Sequence, residues 1–347
     1  MLSAERACNK AKRRAALNAT EKILSMACES ELIQRYFLTK PQRADVVVGI
    51  GDDGAVVRPP PQQDLVASVD TLNEGVHFSS RTDPAAIGHK ALAVNLSDLA
   101  AMGAEPAWAT LALTLPAPDE AWLEGFSQGL LRLADQFKVN LVGGDLTRGP
   151  VSITLQVIGL VPQGTAICRK GARAGELIFV TGTIGDAGLG LAATQNAREL
   201  APSNLDYCLF RLDKPAPRIA AGLALRHIAS AAIDVSDGLS TDLGRILDAS
   251  GVGASIELAG IPLSAAARAV FDNEVDWNLV LNAGDDYELL FTVPAAGVDA
   301  LKRQLVRLDC PVSHIGYIEQ RAGLRYTKQG VTHALEVSTG YDHFAAS

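Results

Sequence analysis

A short apolar run that ends in a small residue and an aspartate recurs five times along this 347-residue chain. The five runs are GIGDDG at Asp52 and Asp53, ASVDTL at Asp70, LVGGDLTR at Asp145, AAIDVSDGL at Asp234 and Asp237, and NAGDDYEL at Asp285 and Asp286. Such runs are typical of strands, and the small residues beside the aspartates leave room for a ligand. The pattern predicts sheets whose strands end in carboxylates that a bound group can reach.

A further carboxylate, Asp98 in NLSDLAAMG, lies on a predicted helix. It comes one turn after Val94 and two turns after Ala91, on the inward face. It is near the helix C-terminus, where the macrodipole disfavours a negative charge. A salt bridge or solvent explains any one of these aspartates most simply. For the whole set that explanation fails, because several anions cannot be buried together unless cations neutralise them.

The residue types in this set indicate which cation it would bind. No cluster of Cys and His accompanies the aspartates, and oxygen ligands alone favour Mg²⁺ or Ca²⁺ over zinc. The calcium-loop pattern D-x-[DN]-x-[DN]-G is absent. Because magnesium is commonly shared with substrate phosphates, the sequence predicts a nucleotide bridged by more than one Mg²⁺. The loop VGIGDDGA matches the glycine pattern of a dinucleotide site, but its two aspartates lead us to interpret it as a metal loop.

A second glycine pattern, at Gly188–Ala193, follows a predicted strand and opens a helix. In a dinucleotide fold the next strand would fall in YCLFRLDKPAPR, where the prolines disfavour it. We therefore interpret the segment as an anion site at a helix terminus or as packing glycines. The phosphate-loop pattern G-x-x-x-x-G-K-[ST] is also absent. An NAD-dependent oxidoreductase and a non-catalytic magnesium–nucleotide sensor remain the alternatives from other functional classes.

Length and charge restrict the class of protein. The chain is long enough for about two domains. A net charge of -8 opposes nucleic-acid binding, and no apolar stretch is long enough to span a membrane. The five cysteines are scattered and form no C-x-x-C pair, which favours a reducing cytoplasm. We interpret residues 1–30 as an N-terminal extension and expect that translation can begin at Met26.

The order of apolar runs predicts an α+β domain followed by an α/β domain. Residues 31–162 contain the strand candidates DVVVGIG, LVASVDTL, AWATLALTL and VSITLQVIGLV, with two helices between them. The first helix opens at Asp83-Pro84 and stops at Gly103. The second follows Asp119 and carries an apolar stripe, predicted to face the core, of Trp122, Phe126, Leu130, Leu133 and Phe137. Residues 163–347 contain the strand candidates GELIFVTG, SAAIDVSD, ASIELAG, ELLFTV and SHIGYIE, with helices between them.

These motifs resemble those of the thiamine-monophosphate kinases, which belong to a superfamily with aminoimidazole ribonucleotide synthetase and selenophosphate synthetase. The resemblance runs from about Glu31 to Phe344, through GIGDDGA, KALAVNLSDLAAMGAEPAW, GGDLTRG, VTGTIGDAGLGL, IDVSDGLSTDLG, GDDYELLFTVP and GYDHF. It implies an N-terminal four-stranded sheet with two helices that forms a homodimer, and a C-terminal α/β sandwich. It also implies transfer of the γ-phosphoryl group of ATP to thiamine monophosphate. Another synthetase of this superfamily is the nearest alternative.

The resemblance also implies roles for individual residues. The implied magnesium ligands are Asp53, Ser68, Val69, Asp70, Asp98, Asp145, Asp234 and Asp237. The implied ATP contacts are Gly144, Asp145, Arg169 and Ser236, and the implied thiamine-phosphate contacts are His77, Asp285 and Tyr341. Val69 replaces a frequent threonine, so only its backbone carbonyl could bind a metal ion. Asp285 replaces a frequent glutamate and has a shorter reach.

The implied reaction suits the residues that the chain offers. The attacking phosphate oxygen is already anionic, so no general base is needed, and the main barrier is to bring anions together. The groups expected to act at the reacting phosphates are Asp53, Asp70, Asp98, Asp145, Arg169 and Asp234, with Arg169 and the magnesium ions neutralising charge. Asp285 and the ring of Tyr341 could favour the cationic thiazolium. His77 could equally be a histidine that caps a turn.

Overall fold

The computed structural model describes residues 28–272, 274–306, 308, 310–333 and 335. Its N-terminal half begins with α1 (Glu29–Tyr36) and a two-stranded antiparallel sheet of β1 (Val46–Val48) and β2 (Val56–Val57). A four-stranded sheet follows, in the order β3 (Gln63–Asn73), β6 (Ser152–Pro162), β4 (Glu105–Leu115) and β5 (Asn140–Arg148). The two predicted helices are α2 (Pro84–Ala101) and α3 (Glu120–Phe137).

One strand of the four-stranded sheet differs from the prediction. The run DVVVGIG forms only β1, outside that sheet, and the fourth strand is β5, which pairs in parallel with β4. In β5 only two apolar residues, Leu141 and Val142, precede two glycines, so its strand signal is weak. Pairing with β4 supplies the hydrogen bonds that a local pattern cannot reveal.

The helices α2 and α3 cross at close range. The carboxylate of Asp83 accepts a hydrogen bond from the Ala85 N–H at 3.1 Å and so caps α2 at the predicted position. A Cβ atom on Gly129 would lie 1.9 Å from the carbonyl oxygen of Ala85, and one on Gly88 would lie 2.0 Å from that of Phe126. Of the predicted stripe on α3, Phe126, Leu130 and Leu133 are buried, while Trp122 and Phe137 are partly buried.

The C-terminal half contains a seven-stranded sheet with the strand order β13-β12-β9-β11-β7-β10-β8. Its strands are β7 (Leu177–Thr181), β8 (Ala231–Asp234), β9 (Gly253–Glu257), β10 (Leu289–Val293), β11 (Val312–Glu319), β12 (Gly323–Lys328) and β13 (Val331–His333). All neighbours pair antiparallel except β9 and β12. The polar strands β12 and β13 were not among the predicted ones. The helices are α4 (Asp186–Thr194), α5 (Pro202–Asp213), α6 (Ile219–Leu225), α7 (Leu239–Ser250), α8 (Ala265–Phe271), α9 (Trp277–Asn282) and α10 (Val298–Leu305).

The second glycine pattern is a packing feature of α4. A Cβ atom on Gly188 would lie 2.3 Å from the Cβ atom of Ala283, and one on Gly190 would lie 2.7 Å from the carbonyl oxygen of Cys208. The segment that a dinucleotide fold would use as its second strand is the helix α5. The oxidoreductase alternative therefore loses its structural basis, because no strand follows α4 at that place.

The helix α2 lies between the two sheets and joins the two halves. It contacts β3 and β6 on one side and β8, β10 and α6 on the other. A single hydrophobic core runs from Leu96 of α2 to Phe179 and Phe291 of the C-terminal sheet. The predicted domain boundary between residues 162 and 163 lies at the end of β6. Because one hydrophobic core contains residues from both sides of it, the packing does not mark a boundary there, and the boundary stays a prediction. No helix within the described ranges is both long and apolar enough to cross a membrane.

Substituting a glycine at the crossing of α2 and α3 tests this packing. We expect Gly129→Ala to lower the free energy of unfolding by about 1–3 kcal/mol, since the new methyl group meets backbone atoms that cannot move aside. Gly244→Ala in α7 is the control, because a methyl group added there would have nothing within 4 Å. It should stabilise the protein by about 0.5–1 kcal/mol through helix propensity. Urea denaturation measures both, and equal stability of Gly129→Ala and the wild type would contradict this packing.

Candidate active site

Four of the predicted carboxylates meet where α2 lies between the sheets. Asp70 comes from β3, Asp98 from α2, Asp234 from the end of β8, and Asp237 from the loop that follows β8. Burial and the charges of Asp98 and Asp237 raise the pKa of Asp70 to about 6. Burial and the charge of Asp98 raise the pKa of Asp234 to about 8. The carboxylates therefore act on one another as a group, as the sequence pattern indicated.

Few groups offset the negative charge of this cluster, which we call the inner cluster: Asp70, Asp98, Asp234 and Asp237. The hydroxyl of Ser68 donates a hydrogen bond to Asp98 at 2.5 Å. Burial raises the pKa of Asp98, whereas the Ser68 bond and the charge of the exposed Arg169 oppose that rise. Within the described ranges, Asp70, Asp98 and Asp234 form no ion pair. Carboxylates buried in this way stay ionised only when a cation neutralises them, and otherwise they take up protons.

The remaining two predicted metal ligands, Asp53 and Asp145, lie elsewhere. Both line a cavity of about 570 Å³ between the GIGDDGA loop, β5 and α1, which Gly144 also lines. Gly144 has φ +156°, and a Cβ atom there would lie 1.9 Å from the carbonyl oxygen of Leu111. Only glycine allows β5 to run this close to β4 at the wall of the cavity.

The sheet register separates Asp145 from Asp70. Asp70 pairs with Leu155, Leu155 with Leu111, and Leu111 with Gly144, so three strand spacings, roughly 14 Å, separate β3 from β5. Asp145 itself lies opposite the exposed Ala112, on the outer face, whereas Asp70 lies in a row with the buried Leu155. Because successive side chains alternate between faces, Asp70 and Asp145 of one copy cannot hold the same ion.

The described residues contain no group of three or more His, Cys, Asp or Glu already arranged around a metal ion. Like charges without a cation repel one another, so the carboxylates of the inner cluster do not converge on one metal position. Magnesium binds through few carboxylates and completes its shell with water and substrate phosphates. The oxygen-only set of the inner cluster with Ser68 fits this ion.

The loop after β8 is held by residues that sequence reasoning did not select. Asp242 in the first turn of α7 accepts hydrogen bonds at 3.0 Å from the N–H groups of Ser236 and Asp237. Arg245 donates to Asp242 at 2.6 Å and also pairs with Asp237. The spacing in IDVSDGLSTDLG carries this signal, because a carboxylate that follows the turn can bind the free N–H groups of its loop.

Two acids of the motif GDDYEL are structural. Glu288 is fully buried and accepts hydrogen bonds from Arg211 at 2.8 Å, Arg218 at 2.5 and 2.6 Å, and Thr181 at 2.6 Å. Asp286 is also buried and accepts from the N–H of Gly185 at the start of α4, at 2.8 Å. Asp285 alone of the three remains at the cleft, where its side chain is 31% exposed.

The other predicted residues are placed as follows. The Nδ1 atom of His77 accepts a hydrogen bond from the Asn73 N–H at 3.0 Å, in the turn after β3, as a turn-capping histidine would. Val69 is 56% exposed on the outer face of β3, so its side chain lies opposite to Ser68 and Asp70. Tyr341 and the rest of GYDHF lie outside the described residues. The substrate roles of His77 and Tyr341 stay predictions.

Comparison with known proteins agrees with this architecture. Residues 51–161 match the family model described as AIR synthase related protein, N-terminal domain, and residues 173–328 match AIR synthase related protein, C-terminal domain. A solved structure of thiamine-monophosphate kinase from Stenotrophomonas maltophilia K279a superposes with a TM-score of 0.78 at 45% identity, over 82% of this chain and 92% of that one.

Two further relatives agree in both sequence and fold. A solved structure described as "AaThiL complexed with AMPPCP and TMP" has a TM-score of 0.72 and 32% identity, over 85% of this chain and 92% of that one. Thiamine-monophosphate kinase of Escherichia coli (strain K12) is 49% identical over 324 residues, which is 92% of this chain and 99% of that protein. Identity of this degree over nearly the full length shows that the chain belongs to the thiamine-monophosphate kinase family.

Proposed function

We propose that this chain transfers the γ-phosphoryl group of ATP to the phosphate of thiamine monophosphate, and that several Mg²⁺ ions assist the transfer. The observation that carries the proposal is the inner cluster, in which burial and neighbouring carboxylates raise the pKa of Asp70 and of Asp234. Within the described ranges neither these two nor Asp98 forms an ion pair. A relative that is 32% identical was solved with AMPPCP and TMP. Family membership and an anionic cleft together support a reaction between two phosphorylated molecules.

We assign separate roles in the phosphoryl transfer to the carboxylates and to Arg169. The attacking atom is a phosphate oxygen, which is already anionic at neutral pH, so the site needs charge neutralisation and alignment rather than a general base. We assign the magnesium ligands to the inner cluster with Ser68, and to Asp53 and Asp145 at the second cavity. Magnesium, when bound, would supply positive charge that offsets the repulsion between the two phosphorylated molecules. Arg169 adds a cation beside Asp98.

The opposite orientation of Asp70 and Asp145 leads us to propose that the working unit is a homodimer. The outer face of the four-stranded sheet exposes apolar side chains, among them Leu65 at 54% and Val69 at 56%. A second copy packed on that face would cover these side chains and add further acids beside Asp145. We also place the reaction in the cytoplasm, where free cysteines persist, as the described Cys28, Cys168, Cys208 and Cys310 are.

Purified protein incubated with ATP, Mg²⁺ and thiamine monophosphate should yield thiamine diphosphate and ADP in equal amounts. Chromatographic separation of the thiamine phosphates measures the product, and omission of Mg²⁺ should abolish it. If no diphosphate forms while an aminoimidazole ribonucleotide precursor is turned over, the superfamily alternative is correct instead.

A matched pair of variants separates the cluster from general charge effects. Asp98→Asn should lower kcat by about 100-fold or more, since it removes an anion that magnesium requires at the reacting phosphates. Asp206→Asn removes the same charge from an exposed position on α5 and should leave kcat unchanged. Near-wild-type turnover by Asp98→Asn would remove Asp98 from the proposed ligands.

The raised pKa values predict how the stability of the magnesium-free protein depends on pH. A carboxyl group whose pKa is higher in the folded state than its unfolded value near 3.8 binds more protons when folded. The protonated group therefore contributes its full stabilisation to the free energy of unfolding below about pH 4. That stabilisation is lost as the pH rises through 6 for Asp70 and through 8 for Asp234. We expect the free energy of unfolding to fall by about 1 kcal/mol per pH unit for each such group across this window.

Urea denaturation at pH 5, 6, 7 and 8 measures this slope. Asp234→Asn removes the group with the highest pKa and should flatten the curve between pH 6 and 8. Asp206→Asn should keep the wild-type slope. A wild-type slope in Asp234→Asn would show that the pKa of Asp234 is not raised in the folded protein.

A further inference from the structure

A single lysine is buried in α2 beside the cleft. Lys90 is only 3% exposed, in a helix whose other buried residues are mostly apolar. Its Nζ atom lies 3.3 Å from Oδ1 of Asp285. A buried ammonium is strongly unfavourable without an anionic partner, so this contact accounts for the presence of Lys90 inside the fold. Asp285, in contrast, is 31% exposed, so the ammonium lies behind a carboxylate that solvent and ligands can reach.

The backbone of Asp285 is fixed as firmly as its side chain. Its φ angle is +68°, in the left-handed region, and its N–H donates to the carbonyl oxygen of Ser236 at 2.9 Å. Tyr287, two residues later, also has a positive φ of +49° and donates its N–H to the carbonyl oxygen of Val235 at 2.9 Å. Two strained residues pinned to the neighbouring loop keep Asp285 in one place, which is typical of a functional position.

Asp285 has a cationic partner in Lys90, unlike Asp70, Asp98 and Asp234, which form no ion pair within the part of the chain that the structure describes. The fourth member of the inner cluster, Asp237, pairs with Arg245. A magnesium ion carries two charges, so an ammonium already paired with a carboxylate weakens the attraction of that carboxylate for the ion. A singly charged aromatic ring needs a weaker electrostatic attraction than Mg²⁺ does, and a partly neutralised carboxylate in van der Waals contact with the ring provides it. Lys90 engages Oδ1 of a carboxylate that stays 31% exposed, so such a ring can still reach it.

We infer that Lys90 is a positioning residue that holds the carboxylate of Asp285 against the cationic ring of the acceptor substrate. This inference rests on the proposed function, since it takes the thiazolium of thiamine monophosphate as the ring. Lys90 does not touch the substrate itself. Its effect passes through Asp285, which makes the two residues one unit for substrate binding.

Steady-state kinetics of Lys90→Met test this role. Removal of the ammonium frees Asp285, so we expect KM for thiamine monophosphate to rise about 10-fold or more, with kcat and KM for ATP within about twofold of wild type. Lys90→Arg keeps the charge and should restore part of the affinity. Lys214→Met is the control. The charges of Lys90 and Lys214 both lower the pKa of the nearby Asp213, but within the described ranges only Lys90 forms an ion pair with Asp285.

A double-mutant cycle separates positioning from a general structural effect. Asp285→Asn tolerates the left-handed backbone, so it removes the charge without disturbing the loop. In that background Lys90→Met should change KM for thiamine monophosphate by less than about twofold, because the residue through which it acts is already gone.

The outcomes distinguish this inference from the proposed function. If the wild type forms no thiamine diphosphate, the proposed function fails and the inference fails with it. If the wild type is active and Lys90→Met keeps the wild-type KM for thiamine monophosphate, only the positioning role is overturned. Independent, additive losses in the double variant overturn it as well. Equal thermal stability of Lys90→Met and Lys214→Met confirms that the comparison is between folded proteins.

Discussion

The repulsion among Asp70, Asp98 and Asp234 is the interaction on which the account depends. These acids come from β3, α2 and β8. Burial and the charge of Asp98 raise the pKa of Asp70 and of Asp234, and no ion pair neutralises the three acids within the described ranges. Carboxylates held this close lower the free energy of unfolding until a ligand neutralises them. The cluster therefore reduces stability in favour of ligand binding. We propose that divalent cations with phosphates relieve this repulsion, and membership of the thiamine-monophosphate kinase family identifies the two phosphorylated substrates.

The rest of the structure keeps this cluster in place. The helix α2 is rigid because glycine contacts bring α3 and α6 against its backbone, as shown by the 2.0 Å that would separate a Cβ atom on Gly222 from the carbonyl oxygen of Ala100. The loops on the C-terminal side are held by charged groups instead. Asp242 binds the loop after β8, and Glu288 with its two arginines fixes the segment that carries Asp285. Rigid carboxylates cannot move apart, which preserves their repulsion.

Local patterns predicted strands around Asp70, Asp145 and Asp234, because apolar periodicity and small residues act over a few positions. Only Asp234 ends its strand, and Asp285 follows the helix α9 rather than a strand. Local patterns also predicted α2 and α3, whose caps are local. The run LVGGDLTR matches the strand pattern, but its two glycines weaken the signal, so β5 is absent from the four strands predicted for the N-terminal sheet. The patterns could not show that β5 lies three strands from β3, which places Asp145 away from Asp70. Lys90 escaped notice because a lysine in KALAVNL resembles a surface residue until Asp285, 195 positions later, is brought beside it.

Crystals grown with Mn²⁺ in place of Mg²⁺, an inert ATP analogue and thiamine monophosphate would locate the ions by anomalous scattering. The account predicts at least one ion bound directly by a carboxylate of Asp70, Asp98 or Asp234, with phosphate oxygens completing its shell. Ions bound only at Asp53 and Asp145, with the inner cluster free of metal and phosphate, would contradict it.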